Sequence, residues 1–378
     1  MLDLLYNSLF IAIIIAWILF HRPGHRYIID LLVRHRKAVF LIAWLLFISL
    51  LAIFITFFDY FEASHDIDDA IQAATDHFAD GGNPYSDQVV PRFPEKYYGS
   101  SRELVNGTYN YLPLDLLVYS GIRQVLSPLG SPYWFIASNA IFAGIASYLY
   151  WRAIKIDLLL FFPVSASVFF VFSFDNICLT AVFVSAGLMY LYHPKRTRCY
   201  LLLALLLFGL ASLTKTFAVI IPLVIALAYL QSAIRRKDRR FTLHIASCLM
   251  ALLAIAIIIA LPFGIGSVLD SAVFFHIDPE MRLNTSAGGT LLSYFFGTSS
   301  LFVPLSVGSM VVAIIVSLKF RDLLDRIMAV ESVFLAVLIT SSHSVLLLPS
   351  MFLFLGFVIQ NMRLDDLSSG STHSRRRE

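Results

Sequence analysis

Residues 199–262 read CYLLLALLLFGLASLTKTFAVIIPLVIALAYLQSAIRRKDRRFTLHIASCLMALLAIAIIIALP. Three apolar blocks, 199–213, 216–231 and 242–262, succeed one another here. Only the pair Thr214-Lys215 and the run Arg235-Arg236-Lys237-Asp238-Arg239-Arg240 part them. A helix crossing a bilayer core needs about 20 mostly apolar residues. Blocks of this order, set so close together, predict membrane spans in series. The whole chain agrees: 58% of its 378 residues are hydrophobic and 14% charged, against about 25% charged in an ordinary soluble domain. Its mean hydropathy is +0.78.

Outward from that stretch, further spans are predicted at 4–20, 38–58, 133–150, 156–174, 176–192, 300–318, 326–341 and 343–359. The fold class expected is therefore an all-α polytopic membrane protein with about 11 transmembrane helices. The first apolar segment follows Asp3 with no positive charge before it, and its arginines come afterwards. That is the pattern of a retained helix with its N-terminus outside, not of a cleaved signal.

Charge orients the spans. The groups Arg22, Arg26, Arg34, Arg36 and Lys37, then Arg152 and Lys155, then Lys195, Arg196 and Arg198, the run 235–240, Lys319 and Arg321, and the arginines 375–377 alternate with connections that are not basic. The positive-inside rule makes these basic connections cytoplasmic. Residues 112–127 (LPLDLLVYSGIRQVLS) break the alternation, being short and carrying Asp115 and Arg123. They are expected to be re-entrant or interfacial, since a full crossing would move every later basic loop outside. The outer side then holds loop 59–111, the stretch around Phe174-Asp175-Asn176, the Thr214-Lys215 hinge, loop 263–299 and the turn Ser341-Ser342-His343. Loops this long are usually functional or disordered, and the mixture of Tyr, Phe, Pro, Asn and carboxylates in 59–111 predicts a folded one.

Within that loop, Ile67, Ala70, Ile71, Ala74 and Phe78 fall at helical spacing, with Asp69, Asp76 and Asp80 largely off their stripe. This predicts an amphipathic helix of about four turns at the membrane interface, stopped by Gly81-Gly82 and followed by an Asn83-Pro84 turn. Asp66 stands at its start. An aspartate there suits an N-cap, with Asp69 three residues on; it equally suits a general base presented at the lipid boundary.

The string Asp66-Ile-Asp-Asp-Ala…Asp80-Gly81-Gly82-Asn83-Pro84-Tyr85, with Tyr109-Asn110-Tyr111-Leu112-Pro113-Leu114 after it, resembles the first external loop of GT-C glycosyltransferases. It is most similar to the branch of polyprenol-phosphate-mannose-dependent mannosyltransferases. Members tend to show an acidic residue just after a transmembrane helix, a Gly-Asn-Pro-Tyr-like turn, and a Tyr-Pro-Pro-Leu-like stretch leading back to the membrane. This chain has Tyr-Leu-Pro-Leu there, carries an extra helix at 4–20, and crowds three aspartates at one position. Hydropathy and charge predict an N-terminal helix and basic cytoplasmic loop at 1–37, and composition predicts a disordered cytoplasmic tail at 366–378. The resemblance implies a catalytic core at 38–365 between them, with external loops 59–111 and 263–299.

It further implies transfer of a hexose, mannose first, from a polyprenyl-phosphate donor to a hydroxyl of a glycolipid or glycan on the extracytoplasmic side. The membrane is expected to be a plasma membrane, favoured by the short tail and compact loops, with an endoplasmic reticulum membrane as the alternative. Asp66 is the implied base and Asp68 its alternative. A sugar on a lipid phosphate has a good leaving group, so the reaction needs a base for the incoming hydroxyl and cations or donors around the departing phosphate. Lys215, against the charge trend on the outer side and preceded by Gly209-Leu210-Ala211, is one candidate cation; a lysine snorkelling from a helix end is its other reading. Arg282 in the second outer loop is another, unless it pairs with Asp278 or Glu280 beside it. His343 is a candidate for orienting substrate. Tyr85 and Tyr111 are candidates for sugar stacking, though tyrosine is also a normal tenant of the interface. Asp175-Asn176 either lines the cavity or caps the following helix.

Cys178, Cys199 and Cys248 lie in or beside apolar segments without metal-ligand spacing, which suits small buried side chains. There is no P-loop, dinucleotide fingerprint or His-Glu-x-x-His motif. No cofactor, metal or nucleic-acid partner is expected; the expected partners are the donor lipid, the acceptor and the bilayer. The rival reading is a transporter or flippase of lipid-linked sugars, which often carries internal inverted repeats; no convincing repeat is present.

Overall fold

The structure is a computed structural model and describes residues 66–92, 105–130, 133–154, 176–193, 197–273 and 302–320, with 45, 323, 326–330 and 333. The expected spans at 4–20, 38–58, 156–174 and 343–359, and most of 326–341, lie outside the described residues. The described fold is all-α apart from one short ladder. It runs α1 (Asp66–Ala79), β1 (Val90–Arg92), β2 (Val105–Gly107), α2 (Pro113–Leu126), α3 (Tyr133–Ile154), α4 (Ile177–Leu191), α5 (Arg198–Ser212), α6 (Ile220–Arg235), α7 (Arg239–Ala260) and α8 (Phe302–Ser317).

The helix ends follow local chemistry. Thr197 and Asp238 cap α5 and α7, their side-chain oxygens accepting from the amides of Tyr200 and Phe241, as short polar residues at this position do. α7 continues through a 3-10 turn to Phe263, and 239–263 is the one described stretch long and apolar enough to cross a bilayer by length and composition. The shorter apolar helices are α4, α5, α6 and the 307–317 part of α8. Leu243, Met250, Leu253 and Ile258 of α7 are exposed, as are Val307, Val311, Val312 and Ile315 of α8.

Two cores are stacked end to end. The first lies among α3, α4, α5 and α6, with Phe241 and Ile245 of α7 and with Ile327, Met328 and Val330. Small residues set its close approaches: a Cβ on Gly187 would meet the Phe208 ring at 2.8 Å, and one on Gly209 would strike Leu252. The second core gathers Ala70, Ile71 and Ala74 of α1 with Tyr85, Val90, Tyr109, Leu116, Tyr119, Trp134, Phe135, Leu179, Ala260 and Phe263. The starts of α3 and α4 and the end of α7 thus meet the loop residues in one cluster.

α1 is the expected helix, and Gly81 ends it with φ +86°, a conformation glycine adopts without a Cβ penalty. The amides of Gly81 and Gly82 return to the carbonyls of Phe78 and His77. The expectation of what its apolar stripe covers is corrected: Ala70, Ile71 and Ala74 are buried by protein, and Phe78 packs on Phe263 at 5.2 Å. α2, within the segment expected to re-enter or lie at the interface, has 14 residues. At 1.5 Å per residue it spans only about 21 Å, short of a bilayer core of about 30 Å.

The charge that made α2 an unlikely span is used inside the protein. Arg123 donates to the Gln72 carbonyl at 3.0 Å and to Thr75 Oγ1 at 2.7 Å. It also pairs with Asp76 and lies 5.5 Å from the Trp134 ring centroid. One guanidinium therefore joins α1, α2 and α3.

Replacing Arg123 by alanine is expected to cost about 1–3 kcal/mol, because the buried Thr75 hydroxyl loses its donor and α1 loses its tie to α2. Replacing its half-exposed partner Asp76 is expected to cost less than about 1 kcal/mol. Thermal unfolding of the two purified variants checks the contrast.

Candidate functional site

The two loop motifs fold onto each other. Asn83 is the hub of the first: its Oδ1 accepts from the Tyr85 amide at 3.1 Å, and its Nδ2 donates to the Phe263 carbonyl at 2.8 Å. Asp87 returns to the same turn, accepting from the Asn83 amide at 3.1 Å and pairing with His77 Nε2 at 2.6 Å. These bonds, led by the one to His77, hold the Asp87 carboxyl below the usual carboxylate range. Asn83-Pro84 therefore fastens the end of α1 to the end of α7.

The second motif docks on this turn. The Tyr109 amide donates to the Pro84 carbonyl at 2.7 Å, and Tyr85 Oη donates to the Tyr111 carbonyl at 2.9 Å. The Tyr85 and Tyr109 rings meet edge to face at 5.5 Å, and Tyr109 and Tyr111 at 5.4 Å. β1 and β2 pair antiparallel, Val90 opposite Gly107, which brings the two motifs side by side.

Beneath them is a buried carboxylate. Asp115, in the first turn of α2, is fully buried. Its Oδ2 accepts from Tyr109 Oη at 2.8 Å and from Asn176 Nδ2 at 2.8 Å. A carboxylate away from water is tolerated only when hydrogen-bonded in this way. Asn176 precedes α4 without a side-chain bond that caps it; its amide is engaged with Asp115 instead, and Asp175 lies outside the described residues. Burial first, then the charge of Asp115, pushes the Tyr85 and Tyr109 hydroxyls well above the ordinary tyrosine range.

Lys215 lies against Tyr111. It is an extended residue, φ −133° and ψ 126°, between the end of α5 and a 3-10 turn, Thr216–Val219, that leads into α6. The side chain is only 9% exposed, and Nζ stands 4.4 Å from the centroid of the Tyr111 ring, within the range of a cation–π attraction. Thr214 beside it shares a 2.8 Å hydroxyl bond with Thr180 of α4. A snorkelling lysine keeps its head in water; this one is held under a tyrosine.

The structure thus brings together three expected substrate-binding residues, Lys215, Tyr111 and Tyr85, sets Tyr109 and Asn176 beside them, and adds Asp115. Asp66 is the first residue of α1 and Asp68 the third. Arg282 and His343 lie outside the described residues. Asp115 was visible in the sequence as a carboxylate in an apolar run, the kind of residue that has a paired or functional role by default. Of the cysteines, Cys178 is buried, but Cys199 is exposed near the start of α5, which corrects the expectation for that residue.

Tyr109→Phe is expected to cost about 2 kcal/mol, since the Asp115 carboxylate loses a donor in a buried site. The raised tyrosine pKa values set an alkaline limit as well. The unfolded chain ionises Tyr85 and Tyr109 near pH ~10 while the folded one holds both protonated, so the unfolded chain releases these protons first. Stability is then flat below about pH 9 and falls as pH rises past about 10. Thermal unfolding between neutral and alkaline pH checks this, and Tyr85→Phe is expected to flatten the fall.

A scan of protein-family models, a search of curated proteins and a search of solved structures each found no match to this chain.

Proposed function

We propose that this chain is a multi-pass membrane glycosyltransferase of the GT-C type. It moves a hexose, mannose first, from a polyprenyl phosphate to a hydroxyl of a glycolipid or glycan on the extracytoplasmic side. The observation that carries the reading is the buried Lys215 under Tyr111, where the two motifs of the resemblance pack together over a helix junction. A cation held among tyrosines at the end of apolar helices suits a lipid-borne phosphate and the sugar attached to it.

Exposed apolar faces on α7 and α8 support the membrane setting. So does the separation of the two ends of the helix bundle. The loop motifs gather at one; Arg198 opens α5, Arg235 closes α6 and Arg239 opens α7, at the ends away from Lys215, with Lys319 beside Arg235, as the proposed outer and cytoplasmic ends require.

In this reading the phosphate sits by Lys215, with the sugar against Tyr111. Asp66, or Asp68 in its place, takes the proton of the acceptor hydroxyl. The freed oxygen attacks the anomeric carbon as the bond from that carbon to the phosphate oxygen breaks. Polyprenyl phosphate leaves with the electron pair, its charge stabilised by Lys215, and the anomeric centre inverts. Arg282 and His343 remain proposed second contacts to phosphate and acceptor.

Purified protein is given radiolabelled polyprenyl-phosphate mannose and a membrane lipid extract. Wild type is expected to transfer label. Asp66→Asn or Asp68→Asn is expected to lose about 10²–10⁴-fold in rate, and Lys215→Gln about 10²-fold, with unchanged melting temperatures. Full transfer by both aspartate variants sinks the proposed base. Movement of the labelled lipid across vesicles without transfer sinks the enzyme reading.

A further inference from the structure

At the end of the bundle away from the tyrosine cluster, a cavity of about 570 Å³ opens between the end of α6 and the end of α8. It is lined by Gln231, Arg235, Leu318, Lys319, Phe320 and Arg326. The volume falls within the range of about 300–1,000 Å³ usual for small-ligand sites. Among the described residues, the lining carries three cations and no carboxylate.

Arg326 is built into the wall. It is 8% exposed, its Nε donates to the Phe320 carbonyl at 2.8 Å, and its Nη1 donates to Gln231 Oε1 at 2.9 Å. These bonds fix the guanidinium plane. Arg235 lines the same cavity as Arg326, and like charges brought together in one cavity repel. An anion between them relieves that repulsion, and a phosphate fits the donor fork of an arginine best. Asp238, the acidic residue of the neighbouring turn, is already engaged by Arg198 and by the start of α7.

The approach to the cavity is apolar. Val311 and Ile315 stand one turn apart on α8 and Lys319 follows one turn later, with Val312 and Val316 beside them; all five are exposed. An exposed apolar stripe that ends at a cationic pocket fits a molecule with a phosphate head and an acyl tail.

We propose that this cavity binds the phosphate of an anionic phospholipid headgroup, with the acyl chains along the Val311–Ile315 face of α8. The proposal is independent of the sugar-transfer reading. The rival is internal neutralisation: Asp322 and Asp325, outside the described residues, follow Lys319 in sequence.

The test titrates the full-length protein, purified in a non-ionic detergent, with short-chain phosphatidylglycerol, short-chain phosphatidylcholine or inorganic phosphate, and reads the rise in melting temperature. Phosphatidylglycerol is expected to stabilise saturably and phosphatidylcholine not to. Arg235→Gln/Lys319→Gln, both exposed positions, is expected to weaken the apparent Kd at least about tenfold. Arg239→Gln/Arg240→Gln removes the same charge outside the cavity and is expected to leave the Kd unchanged. Inorganic phosphate as effective as the lipid supports the phosphate seat and assigns it to a free anion. Equal response to the two lipids, equal weakening in both double variants, or no weakening in the cavity variant overturns the proposal; the last is what neutralisation by Asp322 or Asp325 produces.

Discussion

The carboxylate of Asp115 is fully buried, and its Oδ2 is where two distant parts of the chain meet. An ion in such a place costs several kcal/mol unless donors surround it. Here the donors come from two distant parts of the chain, Tyr109 in the loop and Asn176 at the head of α4. Satisfying one carboxylate therefore ties the loop to the helix bundle. Tyr111 follows Tyr109 by two residues, so the bond that anchors the first ring also sets the second over Lys215. The turn at Asn83 supplies the other anchor, to the carbonyl of Phe263.

That arrangement explains why the protein needs two cores. The inner one is packed from aliphatic residues and alanines at helix crossings, with Gly187 and Gly209 admitting neighbouring side chains. It positions helix ends but offers little chemistry. The outer one is aromatic, built on Tyr85, Tyr109, Tyr119, Trp134, Phe135 and Phe263, and aromatic edges and faces hold fixed angles that aliphatic packing does not. Tyrosine hydroxyls directed at a carboxylate and a carbonyl fix these rings in place, and in the proposed reaction they would be the surface against which the sugar lies. The bundle supplies the lysine, and the loop supplies the walls.

Much of this was legible in the sequence, and the parts that were not have a common cause. Periodicity gave α1 its existence and its buried stripe, and Gly81-Gly82 its end, because those signals are local. The apolar blocks on either side of Thr214-Lys215 gave α5 and α6 and the break between them. Lys215 stood out because its charge opposed the trend of its neighbours. Asp115 and Arg123 were read as obstacles to crossing a membrane, since sequence shows a charge but not its partner. Their partners lie across the fold: Asn176 is 61 positions from Asp115 and Gln72 is 51 from Arg123. What covers the stripe of α1 was hidden for the same reason, because lipid and the aromatic core make the same demand on an apolar face.

The claim at the centre of this account is that Asp115 holds the loop over Lys215 to form a seat for a lipid phosphate. The measurement that tests it most directly is photolabelling of the purified protein with a polyprenyl phosphate carrying a photoreactive group beside the phosphate, followed by peptide mapping. The account predicts label on Tyr111 or on residues 213–219, and its loss in Asp115→Asn at a melting temperature where that variant is still folded. Label confined to other parts of the chain, or an unchanged pattern in the variant, contradicts it.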